Sequence, residues 1–205
     1  MSGIDTIETI TIGHYQSRAE AFWQGTRDHD VSQNIDSMLS ALPSDRSLDI
    51  LDLGCGPGRD LLRFKQLGHR PVGLDGSLAF CEMARQYSGC PVLHQRFSEL
   101  ELAAAGFDGI FANASLFHVP SLALPTVLAA CQRALRPGGV LFTSNPRGNV
   151  EGWQGERYGT FMELEDNEPL LRQAGFEIVT HYYRPAGMPR ARQPWLAIVS
   201  RRADE

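Results

Sequence analysis

Three glycines at alternate positions, Gly54, Gly56 and Gly58, separate two segments of opposite character. Before them, Leu48, Ile50, Leu51 and Leu53 form a near-continuous apolar run that predicts a buried strand. After them, Asp60-Leu61-Leu62-Arg63-Phe64-Lys65-Gln66-Leu67 carries apolar residues at helical spacing. A strand therefore stops, the backbone turns through glycines, and a helix begins. Glycine serves where the chain takes positive φ or where a ligand comes too close for a Cβ. A helix start beyond such a turn offers unpaired N–H groups to a polar ligand. The spacing narrows the choice of ligand. The dinucleotide fingerprint G-x-G-x-x-G needs a third glycine at position 59, which is Arg59; the chain has G-x-G-x-G instead.

With Leu51-Asp52-Leu53 leading into it, this stretch resembles the first motif of the class I S-adenosylmethionine (SAM)-dependent methyltransferases. Other segments carry the same resemblance. Arg70-Pro71-Val72-Gly73-Leu74-Asp75 reads as a second strand, and Gly73-Leu74-Asp75-Gly76-Ser77 is similar to the family's second motif. Asp75 ends that strand, where a carboxylate can accept from both hydroxyls of a ribose. Pro91-Val92-Leu93-His94 reads as a short third strand, and residues 107–115 as a fourth strand and its exit. Leu135-Arg136-Pro137-Gly138-Gly139-Val140-Leu141 is similar to the family's tight turn into a fifth strand. A helix over residues 165–174 ends at Gly175, and strands at 176–184 and 195–200 follow.

The resemblance spans about residues 47–201. It implies a single α/β domain with a Rossmann-like seven-stranded sheet flanked by helices, the last strand antiparallel. Residues 1–46 would form an N-terminal helical lid and residues 47–205 the SAM-binding core. The cofactor residues it implies are Asp52, Gly54, Cys55, Gly56, Gly58, Asp75, Gly76, Ser77, Phe97, Asn113 and Ala114. One departure stands out. The family's turn after the third strand often carries an Asp that contacts adenine, whereas Gln95-Arg96-Phe97-Ser98 has no acid. That leaves the Phe97 ring and its backbone N–H to serve.

The net charge of −5 argues against a nucleic-acid or anionic-membrane surface, either of which wants a basic face. No apolar run approaches a membrane span, and Met1-Ser2-Gly3-Ile4-Asp5 lacks the basic start of a secretory signal. Cys55, Cys81, Cys90 and Cys131 form no C-x-x-C pair, so they read as small apolar filler rather than as zinc or redox ligands. A cytoplasmic protein without a metal is the expectation; oligomeric state is not legible.

Residues 1–12 read as a short strand or loose arm, and residues 15–24 as an amphipathic helix with Tyr15, Phe22 and Trp23 near one face. Arg27, Asp28, His29 and Asp30 follow as a polar cluster suited to a lid. The substrate residues expected are Tyr15, Trp23, Arg27 and His29 from the lid, Ser115 from the fourth-strand exit, and Arg147 and Tyr158 from the loop after the fifth strand. Arginines there suit a carboxylate or other small anion. His118 lies just past the same exit and is the candidate general base. The expected reaction is methyl transfer from SAM to a small molecule at O, N or S, mainly by in-line positioning. A SAM-binding protein without catalysis fits the same motifs, and a nicotinamide oxidoreductase is disfavoured by Arg59.

Overall fold

A computed structural model describes residues 3–203. Three helices precede the sheet: α1 (Gly3–Ser17), α2 (Ala19–Thr26) and α3 (Ser32–Leu39). A parallel half then alternates strands with helices. It runs through β1 (Asp49–Leu53), α4 (Arg59–Gln66), β2 (Arg70–Asp75), α5 (Leu78–Ser88), β3 (Val92–His94), β4 (Phe107–Asn113), α6 (Leu124–Ala134) and β5 (Leu135–Pro146). A hairpin of β6 (Val150–Gln154) and β7 (Arg157–Phe161) leads to α7 (Leu164–Gln173), β8 (Phe176–Arg184) and β9 (Trp195–Arg202). The main sheet has the order β3-β2-β1-β4-β5-β9-β8, with β9 antiparallel to both neighbours. The expected seven-stranded architecture, with its last strand antiparallel, is therefore present.

Alternation along the central strands divides the core in two. Ile50, Phe111, Val140, Phe142, Ala197 and Val199 face Ile35 and Met38 of α3 and Phe64 of α4. Leu51, Leu53, Ile110, Ala112, Leu141 and Ile198 face the other way, toward α6 and Leu171 of α7. Phe111 stacks on Phe142 at 4.8 Å between ring centres and meets the edge of Phe64 at 5.2 Å. Cys55, Cys81 and Cys90 fill a small cluster with Leu61, Ala84 and Val92, in keeping with their reading as apolar filler.

Asp108, buried at the start of β4, ties the N-terminal edge of the sheet. It accepts from Arg46 at 2.8 and 3.0 Å, from the Asp49 N–H at 2.8 Å, and pairs with Arg136 at 2.8 Å. Burial alone would raise its pKa, but the two guanidinium groups and the N–H outweigh that and hold it well below the usual carboxylate range.

Two expectations need correction. Residues 1–2 of the expected arm lie outside the described residues; residues 3–12 are neither strand nor arm, because α1 runs from Gly3 to Ser17, breaks at Arg18 and gives way to α2. The run of Thr and Ile suggested a strand, yet Ile4, Glu8, Thr11, Ile12 and Tyr15 recur at helical spacing and line one cavity together. Residues 150–161 form the β6–β7 hairpin rather than a loop.

Candidate active site

The C-terminal ends of β1, β2 and β4 open into a cavity of about 650 Å³, in the size range of small-ligand sites. Its floor is the turn after β1. Gly54 has φ +80°, and a Cβ there would lie 2.4 Å from Ser115 Cβ, so the approach of the β4 exit reserves this position for glycine. The N–H groups of Gly54 and Cys55 both bond the Leu74 carbonyl, at 2.8 and 3.0 Å, which fixes the turn against β2. Gly56 faces the cavity. A Cβ there would have only Phe22 within 4 Å, at 3.7 Å, so the missing side chain leaves room for a ligand.

Asp75 closes this wall. Its Oδ2 accepts from the Gly56 N–H at 3.0 Å and its Oδ1 from the Ser77 N–H at 2.8 Å. Burial pushes its pKa up to about 6, against the pull of those two N–H groups. On the next wall, Ala114 takes a left-handed φ of +58° as β4 ends, the sort of local strain that collects at functional sites. Asn113 beside it is locked by Asn34 at 2.9 Å and by Asp60 at 3.2 Å. Asp60 is in turn gripped by Arg59, whose other arm reaches the Thr26 carbonyl of α2. This chain of polar side chains joins α2 and α3 to the sheet.

The roof is formed by α1 and α2. Tyr15 packs on Phe22, Phe80 and His118 with ring centres 5.3–5.7 Å apart. His118 Nδ1 lies 2.6 Å from the Tyr158 carbonyl, which can only accept, so Nδ1 carries the proton. Nε2 is then an acceptor, and the Tyr15 hydroxyl donates to it at 2.8 Å. Burial lowers the His118 pKa to about 4, with the Arg157 charge adding to the effect, so the ring is neutral at pH 7. Burial raises the Tyr15 pKa, while Arg157, whose Nη1 donates to the hydroxyl at 3.3 Å, opposes the rise.

The expected residues divide accordingly. Gly54, Cys55, Gly56, Asp75, Gly76, Phe97, Asn113 and Ala114 line the cavity, as do Tyr15, Trp23, His29, Ser115 and His118. Ser115 spends its hydroxyl on the Leu53 carbonyl, so it braces the turn. The others lie elsewhere. Asp52 is buried behind the turn, and burial together with the Asp60 charge pushes its pKa well up. Gly58 allows α5 to approach, since a Cβ would meet Ala84 Cα at 2.8 Å. Ser77 caps α5 and bonds Gln16 of α1.

Arg27 pairs with its neighbour Asp28 on the surface. Arg147 clasps Glu163 and the carbonyls of Arg190 and Gln193, outside the cavity lining. Tyr158 turns its hydroxyl to Glu151 and contributes only its backbone, whose carbonyl holds His118 and whose N–H donates to Thr11. The sequence reading missed Glu8, Thr11, Phe117, Arg157 and Trp195, all of which line the cavity. Only the helical spacing of the α1 residues could have signalled the first two. Among the described residues no group of His, Cys, Asp and Glu could hold a metal ion, and no helix is long and apolar enough to cross a membrane.

Comparison with known proteins bears on the same segment. Residues 50–139 match the family described as a methyltransferase domain. The chain is 39% identical over 114 residues to trans-aconitate 2-methyltransferase of Azoarcus sp., covering 54% of this chain and 44% of that protein. It is 29% identical over 166 residues to a ubiquinone biosynthesis O-methyltransferase of Hahella chejuensis, covering 75% and 68%. The chain thus spans about half the length of the first of these relatives and two thirds of the second. Among solved structures, the Burkholderia thailandensis 1,6-didemethyltoxoflavin-N1-methyltransferase, crystallised with 1,6-didemethyltoxoflavin and S-adenosylhomocysteine, superposes with a TM-score of 0.81. It is 23% identical, and the match covers all of this chain and 92% of that one. The sheet order, the glycine turn with Asp75 across from it, and the match over residues 50–139 agree: residues 50–139 are a methyltransferase domain, and the chain has the class I SAM-dependent methyltransferase fold.

Proposed function

We propose that this protein transfers the methyl group of SAM to a small anionic acceptor inside the cavity under α1 and α2. The observation that carries this reading is the side-chain-free surface at Gly56, with the Asp75 carboxylate beside it, in a cavity large enough for two small ligands. Asp75 would accept the ribose hydroxyls, and the turn at Gly54 and Gly56 would lie under the amino-acid part of the cofactor. The cofactor, when bound, supplies a methyl group on a sulfonium, already electrophilic, so the chain's own work is to position an acceptor and exclude water.

Arg157 supports an anionic acceptor. It lines the cavity, and among the described residues no carboxylate pairs with it. The role expected of Arg27 and Arg147 passes to this residue. Phe117, Trp195 and Val119 would supply the apolar walls of the same compartment. The name of one relative, trans-aconitate 2-methyltransferase, accords with a carboxylate substrate.

His118 fits a positioning role better than that of a strong base. With its pKa near 4 and Nε2 already taken by Tyr15, it is poorly matched to deprotonating an alcohol near neutral pH. It holds the Tyr15 hydroxyl, which faces the acceptor. Such a site suits an acceptor atom that is already ionised or carries a free lone pair. The test is formation of S-adenosylhomocysteine from SAM with panels of small carboxylates, thiols and ring nitrogens. Binding of S-adenosylhomocysteine by calorimetry without turnover of any acceptor would favour the non-catalytic SAM-binding alternative.

A further inference from the structure

The turn after β3 contains no acid, yet a carboxylate lies against it. Glu8 of α1 points into the end of the cavity lined by Ile4, Ile12, Gly76, Phe97 and Ser98. Its Oε1 accepts from the Phe97 N–H at 2.8 Å and from the Ser98 N–H at 3.3 Å, and the Ser98 hydroxyl donates to Oε2. An acceptor carboxylate and two backbone N–H donors, both of which it now accepts from, therefore stand side by side. This pattern complements one edge of adenine, where an exocyclic amine donates and the adjacent ring nitrogen accepts. A carboxylate has about four acceptor positions, so Glu8 retains capacity beyond its present bonds.

Accordingly, and resting on the SAM reading above, we propose that Glu8 recognises the adenine amine of the cofactor and thereby makes closure of α1 part of cofactor binding. The attachment of α1 is consistent with a segment that opens and closes. Only Thr11 of this helix is fully buried. Its other contacts include the Tyr15 ring and hydroxyl against Phe80 and His118, and side-chain bonds toward the surface: Arg96 to Thr9, the Tyr158 N–H to Thr11, and Ser77 with the Ala79 N–H to Gln16. Elements with few buried apolar contacts open at low cost. Closed, α1 lays Ile12 against Gly76, where a Cβ would come within 2.7 Å of Ile12 Cδ1. It then covers the route to Asp75, so a bound cofactor has to meet α1.

The test compares S-adenosylhomocysteine with S-inosylhomocysteine, in which a carbonyl replaces the amine and the adjacent nitrogen becomes a donor. Calorimetry on the full chain should show the adenosyl compound binding on the order of tenfold to hundredfold more tightly, as expected when a hydrogen-bonding site meets the reversed pattern. In Glu8→Gln the amide can donate to the carbonyl, so the preference should shrink to a fewfold or invert, with Tm checked to show that the variant is folded. Hydrogen exchange provides a readout independent of turnover: amides of residues 3–17 should slow on addition of S-adenosylhomocysteine in the wild type and much less in Glu8→Ala. If wild type bound neither compound, the cofactor reading would fall and take this inference with it. If wild type bound S-adenosylhomocysteine but Glu8→Gln weakened both compounds equally, or changed neither, the cofactor reading would stand and the role of Glu8 would be wrong.

Discussion

Replacing Gly54 with alanine tests whether the contact between the first turn and the β4 exit sets the geometry of the site. Two costs add. The residue holds φ +80°, and a left-handed conformation costs an L-residue roughly 1–2 kcal/mol. The new methyl would lie 2.4 Å from Ser115 Cβ, an atom fixed to its backbone that no rotamer change can move. Overpacking of this kind costs about 1–3 kcal/mol. The turn cannot drift freely, because Gly54 and Cys55 are both bonded to the Leu74 carbonyl and Ser115 is bonded to the Leu53 carbonyl at 2.6 Å. The expected loss is therefore roughly 2–5 kcal/mol, a large share of an ordinary domain's stability. A double-mutant cycle separates the parts. In a Ser115→Gly background the largest clash is removed, leaving a contact with Phe97 Cζ at 3.2 Å and the φ cost of about 1–2 kcal/mol. Urea unfolding at pH 7, followed by circular dichroism for all four proteins, supplies the numbers, and calorimetry with S-adenosylhomocysteine shows whether the turn still binds. Should Gly54→Ala cost less than about 1 kcal/mol, or cost the same in both backgrounds, steric reservation of this position is the wrong explanation.

Four further outcomes are expected. Asp108→Asn should destabilise by about 2–4 kcal/mol in urea unfolding, because it faces an amide N–H₂ toward two guanidinium groups; the figure is kept low because Arg46 and Arg136 are partly solvated. The folded His118 pKa lies near 4 against 6.5 for a free ring, so the unfolded chain takes up the proton first, and stability should fall as pH drops from about 6.5 toward 4. The loss at this site is roughly 3 kcal/mol, and it should be absent in His118→Gln. S-adenosylhomocysteine should bind more weakly as pH falls below about 6, because Asp75 must be ionised to accept two hydroxyls, and the slope should flatten in Asp75→Asn titrated by calorimetry. Arg157→Gln should raise KM for an anionic acceptor about tenfold or more while leaving cofactor affinity nearly unchanged; an equal loss for neutral acceptors would refute the anion role.

The sequence by itself determined the frame. An apolar run, a glycine turn and an amphipathic helix can be satisfied only by a strand packed under its own crossover helix, and that unit recurs at Asp75 and Asn113. The family resemblance implied the closing antiparallel strand; the order β3-β2-β1-β4-β5 came only with the structure. Local chemistry was legible because it is local: Gly54, Gly56 and Asp75 act through their own backbone or their nearest turn. The lid was not. Residues 3–12 carry β-branched side chains that favour a strand in isolation, and they form a helix because one face has a cavity and a β3 turn to pack on. Partner choice decided the arginines in the same way. Arg27 and Arg147 have carboxylates within reach and are spent on them, whereas Arg157, the first residue after the hairpin turn, is aimed at Tyr15. Contacts such as Glu8 with Phe97 and Tyr15 with His118 join residues about ninety and one hundred positions apart. No periodicity encodes such pairs; they exist only once the sheet has folded and the first helix has come down on it.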